Sequence, residues 1–512
     1  MAKAINRILM NVFMSAKIVQ FIVFFVLLQF GLIEKALYMV TFCISLLALV
    51  LGYLIYGAVV EKVFGVDEQR TTPCFTKADG VDYIPMPTWR VFLIQFLNIA
   101  GTGPIFGDIM GILFGPAAYL WIVLGCIFAG ATHDYLSGMI SLRKGGISMP
   151  EMVGDELGPG VRLLVRIFSM LLLLLVGTVF VATPANLLSS MTTDWGTFGT
   201  VLFWSVVIFL YYVLATLLPI SSLIGRIYPL FGMAMLIMAV GIGVGVFTHE
   251  GWMPELTDSL SGNHPKSLPI FPMLCITIAC GAISGFHATQ SPMMARCIKS
   301  ERMGRRVFYG AMIAEGLVAL IWAAASVKYA GGYQQLADMG NPAVVVSTIC
   351  SSWMGRIGAV LAVLGVVAAP ITSGDTALRS ARLIAADFLH FKQDKLWKRM
   401  VLSLPIFVVS ALLMIVNFDI LWRYFAWFNQ TLAFITLWAV SVWLARKKKF
   451  YWIALLPAMF MTVVCSSYIL VAPEGFQLPV NMGVGIGVAF MSVLTLLFAV
   501  WRVRYARKQA ES

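Results

Sequence analysis

Apolar runs long enough to cross a bilayer, parted by short polar or charged loops, recur from one end of the chain to the other. They fall at 18–33, 37–60, 89–115, 116–142, 163–190, 198–220, 227–247, 268–291, 306–329, 355–386, 399–417, 419–445, 450–472 and 481–501. A hydrocarbon core of ~30 Å takes about 20 helical residues. Backbone polar groups in lipid must be satisfied within the spanning segment, which leaves helices for runs of this kind. The pattern therefore predicts an all-α polytopic membrane protein with about 13–14 transmembrane helices.

Two of these runs are interrupted. Residues 98–107 read Asn-Ile-Ala-Gly-Thr-Gly-Pro-Ile-Phe-Gly, with Gly101, Gly103 and Pro104 close together. Proline lacks an N–H and clashes with the carbonyl four residues back, so helical hydrogen bonding fails there. The break begins roughly twelve residues into its span, about 18 Å at 1.5 Å per residue, near the middle of the core. Irregular backbone at that depth persists only where it is buried in protein or lines a cavity. A proline kink that merely shapes packing is the plainer alternative.

A second interruption, residues 279–292, reads Ala-Cys-Gly-Ala-Ile-Ser-Gly-Phe-His-Ala-Thr-Gln-Ser-Pro and lies five spans further on. Five is odd, so a repeat of five helices re-enters the membrane from the other side. The third to seventh and eighth to twelfth spans are expected to be inverted copies, each opening on a broken helix. That is the plan of secondary transporters that bind substrate at midplane between discontinuous helices. On this plan residues 1–36 form an extra N-terminal transmembrane helix, and 37–88 a peripheral helix and cytoplasmic loop. Residues 89–247 and 268–445 form the two repeats, and 446–512 two C-terminal helices and a cytoplasmic tail. No small-x-small site precedes Glu34, so the first run reads as an uncleaved helix. Met39 is an alternative start of translation that would remove it.

Composition sharpens the class. Of 512 residues, 60% are hydrophobic and 12% charged, which leaves no soluble domain of useful size. The formal net charge of +12 does not point to nucleic acid, because the basic residues sit in short clusters between apolar runs. Lys299, Arg302, Arg305 and Arg306 form one cluster, Lys392, Lys395, Lys398 and Arg399 another, and Arg446 to Lys449 a third; all fall on one side. The acidic loop with Glu250, Glu255 and Asp258 falls on the other. The basic side should be cytoplasmic, with both termini there, in a multi-pass protein of the cell (inner) membrane. The eight cysteines include no Cys-x-x-Cys pair and read as small core residues, and nothing calls for a cofactor.

The chain resembles the carbon-starvation protein A (CstA) family in blocks at 71–89, 98–107, 120–142 with His133-Asp134-Tyr135, 281–296, 309–321, 372–388 and 420–433. The likeness covers roughly residues 37–475. It implies an inner-membrane transporter of pyruvate or short peptides, similar in fold to the amino acid-polyamine-organocation (APC) superfamily and hence LeuT-like. The N-terminal helix then looks like an addition, and Asp108 stands where a small residue is expected.

The breaks define the candidate substrate site. Their first halves direct carbonyls, and their second halves N–H groups, into one cavity, so a carboxylate would meet amides near Gly103 to Gly107 and Gly285 to Thr289. Asn98, Gly101, Thr102, Gly103, Gly107, Gly281, Gly285, His287 and Thr289 are the substrate-binding candidates. No arginine falls at midplane, so a cation is expected to accompany the carboxylate. By analogy with LeuT-like folds, Thr372, Ser373 and Thr376 would meet carbonyls near Ala100 and Gly101 and hold sodium. Back-bonding within the helix is the competing reading of those hydroxyls. Asp375 and Glu315 are intramembrane carboxylates, which are costly unless paired, protonated or ion-bound. Glu315 is the proton-relay candidate, His287 adjoins the second break as an ionisable group, and His133, Asp134 and Asp108 complete the set. Trp422, Arg423, Tyr424, Trp427, Asn429 and Gln430 cluster near the start of the twelfth span, and an interfacial belt explains most of that cluster, because the aromatics and the arginine lie near its outer end.

These residues point to a non-enzymatic, cation-coupled importer working by alternating access, with a proton favoured over sodium because pyruvate-transporting relatives look proton-driven. A channel would not concentrate its substrate. An intramembrane aspartyl hydrolase built on Asp108 and Asp375 would need the two to share a proton, and it leaves the paired breaks unexplained.

Overall fold

The computed structural model describes residues 39–511 apart from 81, 218–223, 394 and 417. The helix expected at 18–33 lies outside the described residues. Among the described residues every regular element is helical. Eleven helices are long and apolar enough to cross a membrane, or twelve if the bent pair Thr88–Ala100 and Gly103–Phe114 is one span.

In chain order the main helices, spanning and shorter, are α1 (Val40–Phe64), α2 (Thr88–Ala100), α3 (Gly103–Gly111), α4 (Ala117–Arg143), α5 (Met149–Leu157), α6 (Pro159–Met191), α7 (Val201–Leu217) and α8 (Ile224–Thr248). There follow α9 (Ile270–Thr277), α10 (Gly285–Ala295), α11 (Gly310–Ala330), α12 (Pro342–Ala362), α13 (Ala369–Leu389), α14 (Leu396–Leu413), α15 (Phe418–Arg446), α16 (Trp452–Val471) and α17 (Val480–Glu511).

The first break lies where the glycines and proline put it. Gly101 takes φ 22°, and the chain bends by 45° between α2 and the helix that resumes at Gly103. Pro104 sits in the first turn of α3, where its missing N–H leaves no hydrogen bond unmade. The second break is wider, occupying 278–284 between α9 and α10. The crossing expected at 355–386 also has a distinct construction. Gly355, at φ 58° and ψ −141°, splits α12, and the chain then runs through a π-helical stretch, Val363–Ala368, into α13. Residues 342–354 thus form a separate helix ahead of that crossing.

The two broken helices sit at the centre. α3 packs on α11, α10 on α4 and α15, and α2 on α8 and α13, while α6 lies along α13. α1 contacts the bundle through α4 and α11, and α16 and α17 add outside α15. Glycines allow the breaks to touch. A Cβ on Gly107 would stand 2.9 Å from Thr277 O, and side chains on Gly103 and Gly111 would collide with Cys280 and Ile278. Glycine at this four-residue spacing therefore brings α3 directly onto the second break.

Loops of like charge converge on one face. Arg143 forks onto Glu301, with Nε 2.9 Å and Nη2 2.7 Å from the carboxylate oxygens, while Arg446 lies 3.1 Å from Glu156 and Lys449 donates to Phe64 O. At the opposite end Glu255 accepts from the Thr41 amide at 2.8 Å. The basic clusters near 299–306 and 446–449 therefore share a face, and the acidic loop lies at the other.

Candidate functional site

The site grows from the contact between α4 and the second break. A π-helical stretch, Gly125–Gly130, interrupts α4 just before His133 and Asp134. Such bulges re-aim the residues that follow. A Cβ on Gly125 would lie 2.8 Å from Ala282 Cβ, and one on Gly130 would strike the Ala282 carbonyl, so only glycine lets the two elements approach this closely.

That approach brings Asp134 to His287, the third residue of α10. His287 Nδ1 lies 2.8 Å from Asp134 Oδ2, and His133 Nδ1 lies 2.8 Å from Asp134 Oδ1. On its other side His287 Nε2 faces Glu315 Oε2 on α11 at 3.4 Å. All four side chains are fully buried. One carboxylate thus orients two imidazoles, and the second imidazole bridges to a second carboxylate. Four residues that the sequence offered separately form one continuous His133–Asp134–His287–Glu315 row.

Asp108 on α3 is adjacent. A Cβ added to Gly281 would lie 2.6 Å from Asp108 Oδ2, so Gly281 is the spacer that admits this carboxylate against the second break. Both Asp108 oxygens and both Glu315 oxygens lack a hydrogen-bond partner among the described residues, as do both amide atoms of Asn98 and the hydroxyl of Thr102. Buried polar atoms are nearly always hydrogen-bonded, so this concentration on the first broken helix and its neighbour marks polar capacity available to a ligand or proton. Cys280 Sγ, His287 Nε2 and a Glu315 oxygen lie within 4.8 Å of one another and are the one set among the described residues whose chemistry could suit a metal ion. Cys280 also lies within 3.9 Å of Ser284 Oγ and 3.7 Å of Asn429 Nδ2.

The hydroxyl-bearing helix, α13, divides its residues. Ser373 Oγ donates to Leu97 O on α2 at 3.0 Å, one turn before Gly101, and a Cβ on Gly101 would lie 3.4 Å from that hydroxyl. Thr372 donates to Ala369 O, and Thr376 to the Thr372 and Ser373 carbonyls, both within their own helix. Ala100 is buried in the last turn of α2. Asp375 faces elsewhere: Tyr211 donates to Oδ2 at 3.0 Å, and Tyr228 donates to the same oxygen. Asp108 and Asp375 therefore share no hydrogen bond and are held by different elements.

The amides foreseen for a carboxylate are partly engaged. Ile105 and Phe106 donate to Thr102 O, and the Phe286 N–H donates to Asn429 Oδ1 at 2.7 Å. Thr289 Oγ1 donates to Phe286 O. Gly285 meets α15 directly, with Ala433 N 2.5 Å from its would-be Cβ. Asn429 and Gln430 thus do not belong to an interfacial belt. They are fully buried, and Asn429 accepts from both Phe286 N and Ser284 Oγ. Their polarity inside the run at 419–445 was the signal that could have placed them. Tyr211 and Tyr228 carried no such signal, since tyrosine is ordinary in membrane helices.

Comparison with known proteins adds the lineage. The profile described as "Carbon starvation protein CstA" matches residues 35–209, 191–337 and 321–467. The chain belongs to the CstA family. An uncharacterized membrane protein of Haemophilus influenzae is 43% identical over 356 residues, covering 60% of this chain and 95% of that one. The peptide transporter CstA of Escherichia coli is 29% identical over 383 residues, covering 61% of this chain and 54% of that one. The pyruvate/proton symporter BtsT of E. coli is 27% identical over 338 residues, covering 54% and 47%. The chain spans about half the length of these named transporters. Among solved structures, MhsT in complex with L-phenylalanine matches with a TM-score of 0.50 and 14% identity over 79% of this chain and 98% of that one. The CstA-family chain is thus an all-α polytopic protein with a LeuT-like fold.

Proposed function

We propose that this chain is a proton-coupled secondary transporter of the cell membrane that imports a small carboxylate such as pyruvate, or a short peptide, by alternating access. One observation carries the reading: His287, where the second broken helix resumes, has Nδ1 on Asp134 and Nε2 facing Glu315. With Nδ1–H donating to Asp134, Nε2 carries the lone pair, and one proton can reside on Nε2 or on Glu315. Motion of α10 against α11 changes that separation, so proton affinity depends on which way the site is open. The names of the E. coli relatives support the class of cargo.

Substrate would lie between the breaks. Asn98 and Thr102 carry the larger share of recognition, because Phe286, Ile105 and Phe106 amides already have acceptors. The basic face is the cytoplasmic one, and the C-terminal tail with Arg502, Arg504 and Arg507 returns to it. A sodium-coupled reading has one observation in its favour, the Ser373 hydroxyl bridging to Leu97 O beside the first break. Uptake of labelled pyruvate and labelled dipeptide into proteoliposomes, with pH and sodium gradients imposed separately, separates the two. The proposal expects accumulation with the pH gradient alone. Accumulation that ignores pH and rises steeply with external sodium would replace the proton by sodium and make Ser373 its ligand.

A further inference from the structure

A groove of ≈ 830 Å³ opens on the outside of the bundle between α1, the start of α2 and residues 299–317. Val50 and Tyr53 of α1, Phe92 of α2, and Ile313 and Leu317 of α11 line it, so its wall is almost wholly apolar. Its mouth is different. Lys299 and Arg306, both exposed, stand there at the basic face. Their neighbours already have counter-ions: Arg305 lies 3.2 Å from Glu61, and Arg302 lies 3.7 Å from Glu68. No carboxylate among the described residues forms an ion pair with Lys299 or Arg306.

We propose that this groove binds one anionic glycerophospholipid, with its phosphate on Lys299 and Arg306 and an acyl chain along the wall. Three features select that occupant. Unpaired cations at the mouth of an apolar groove complement a headgroup of negative charge joined to a hydrocarbon tail. The lining from Arg306 through Gly310, Ile313, Ala314 and Leu317 follows one helix face over eleven steps along the chain, about 16 Å at 1.5 Å per step. That is the depth of one leaflet of a ~30 Å core, and too short to seat a transmembrane helix. The residues outside the described part of the chain also have the wrong sign: 1–17 contain Lys3, Arg7 and Lys17 and no acidic residue, so they would repel the mouth.

The position gives the lipid a consequence. Thr88, Trp89 and Phe92 belong to the first half of the first broken helix and also line the groove. A lipid seated there holds α2 against α1 and α11, and so biases the element whose movement would open the site to the basic face. Binding itself does not depend on the proposed cargo or coupling ion.

The test uses the full chain in detergent and in vesicles. Photoactivatable phosphatidylglycerol and photoactivatable phosphatidylcholine, offered at equal concentration, are crosslinked to the protein and the labelled peptides identified. Phosphatidylglycerol should label 299–317 and α1 preferentially. Lys299→Ala and Arg306→Ala should each weaken its competition against unlabelled lipid about fivefold, and together about thirtyfold. Arg302→Ala should have little effect. Ala314→Phe, which narrows the groove, should remove labelling by both lipids without changing labelling elsewhere. Equal labelling by the two lipids, indifference to the double substitution, or crosslinks between the groove and residues 1–38 in place of lipid would each overturn the proposal.

Discussion

His287 illustrates what a single residue can and cannot disclose. The sequence marks His133, Asp134, His287 and Glu315 as intramembrane ionisables that need partners, but not that the partners are one another. Their joining depends on Gly130 approaching the Ala282 backbone across two elements far apart in the chain. Asp134 accepts from both imidazoles, so Asp134→Asn replaces a pure acceptor by a group that also donates and disturbs the tautomer at His287. Gradient-driven uptake should fall about tenfold or more, because the carboxylate no longer fixes which His287 nitrogen carries the proton. An unchanged pH profile in that variant would detach Asp134 from coupling. Asn429 belongs to the same scale but has a structural task. Asn429→Ala would leave Phe286 N and Ser284 Oγ without their acceptor, a cost of about 1–3 kcal/mol for buried donors. Thermal unfolding of the purified protein in detergent should show a lowered midpoint, and Asn429→Asp should restore most of it.

At the scale of elements, both breaks were legible because glycine and proline act locally. Gly101, Gly103 and Pro104 stop a helix whatever surrounds them. What they face was not legible. The sequence suggested glycines opening towards a ligand, yet Gly103, Gly107 and Gly111 pack α3 on the second break, and Gly285 packs α10 on α15. The element-level expectation changes accordingly. Gly107→Val and Gly285→Leu would press side chains into the backbone at Thr277 O and Ala433 N, so both should lower the yield of folded protein as well as transport. Size-exclusion profiles and melting points of the two variants measure this directly. Normal folding with selective loss of uptake would return these glycines to the ligand. Of the three hydroxyls expected to hold sodium, Thr372, Ser373 and Thr376, Ser373 is the one that donates to another element. Ser373→Ala should therefore weaken the α2–α13 contact, whereas Thr376→Val replaces a hydroxyl bonded within its own helix and should change stability little.

For the whole molecule, the alternation of charge between loops and the odd spacing of the breaks gave the polytopic plan. The fold gathers the basic loops on one face through Arg143–Glu301 and Arg446–Glu156, and the acidic loop on the other. Exposed Lys299, Lys392 and Lys447 should react with an impermeant amine reagent only from the cytoplasmic side, and Lys266 only from outside. Reaction of Lys266 and Lys299 from one side would remove the odd crossing between them and the inverted repeat with it. The second break spans seven residues, 278–284, between two short helices, and its composition revealed it. The central claim is that substrate and proton move together through the His287–Glu315 pair. The most direct measurement is the pH inside dye-loaded proteoliposomes when pyruvate or dipeptide is added outside with no ion gradient imposed. The account predicts internal acidification that follows substrate entry in the wild type and disappears in Glu315→Gln while substrate binding persists. Substrate entry without any pH change in the wild type, or acidification undiminished by Glu315→Gln, would contradict it.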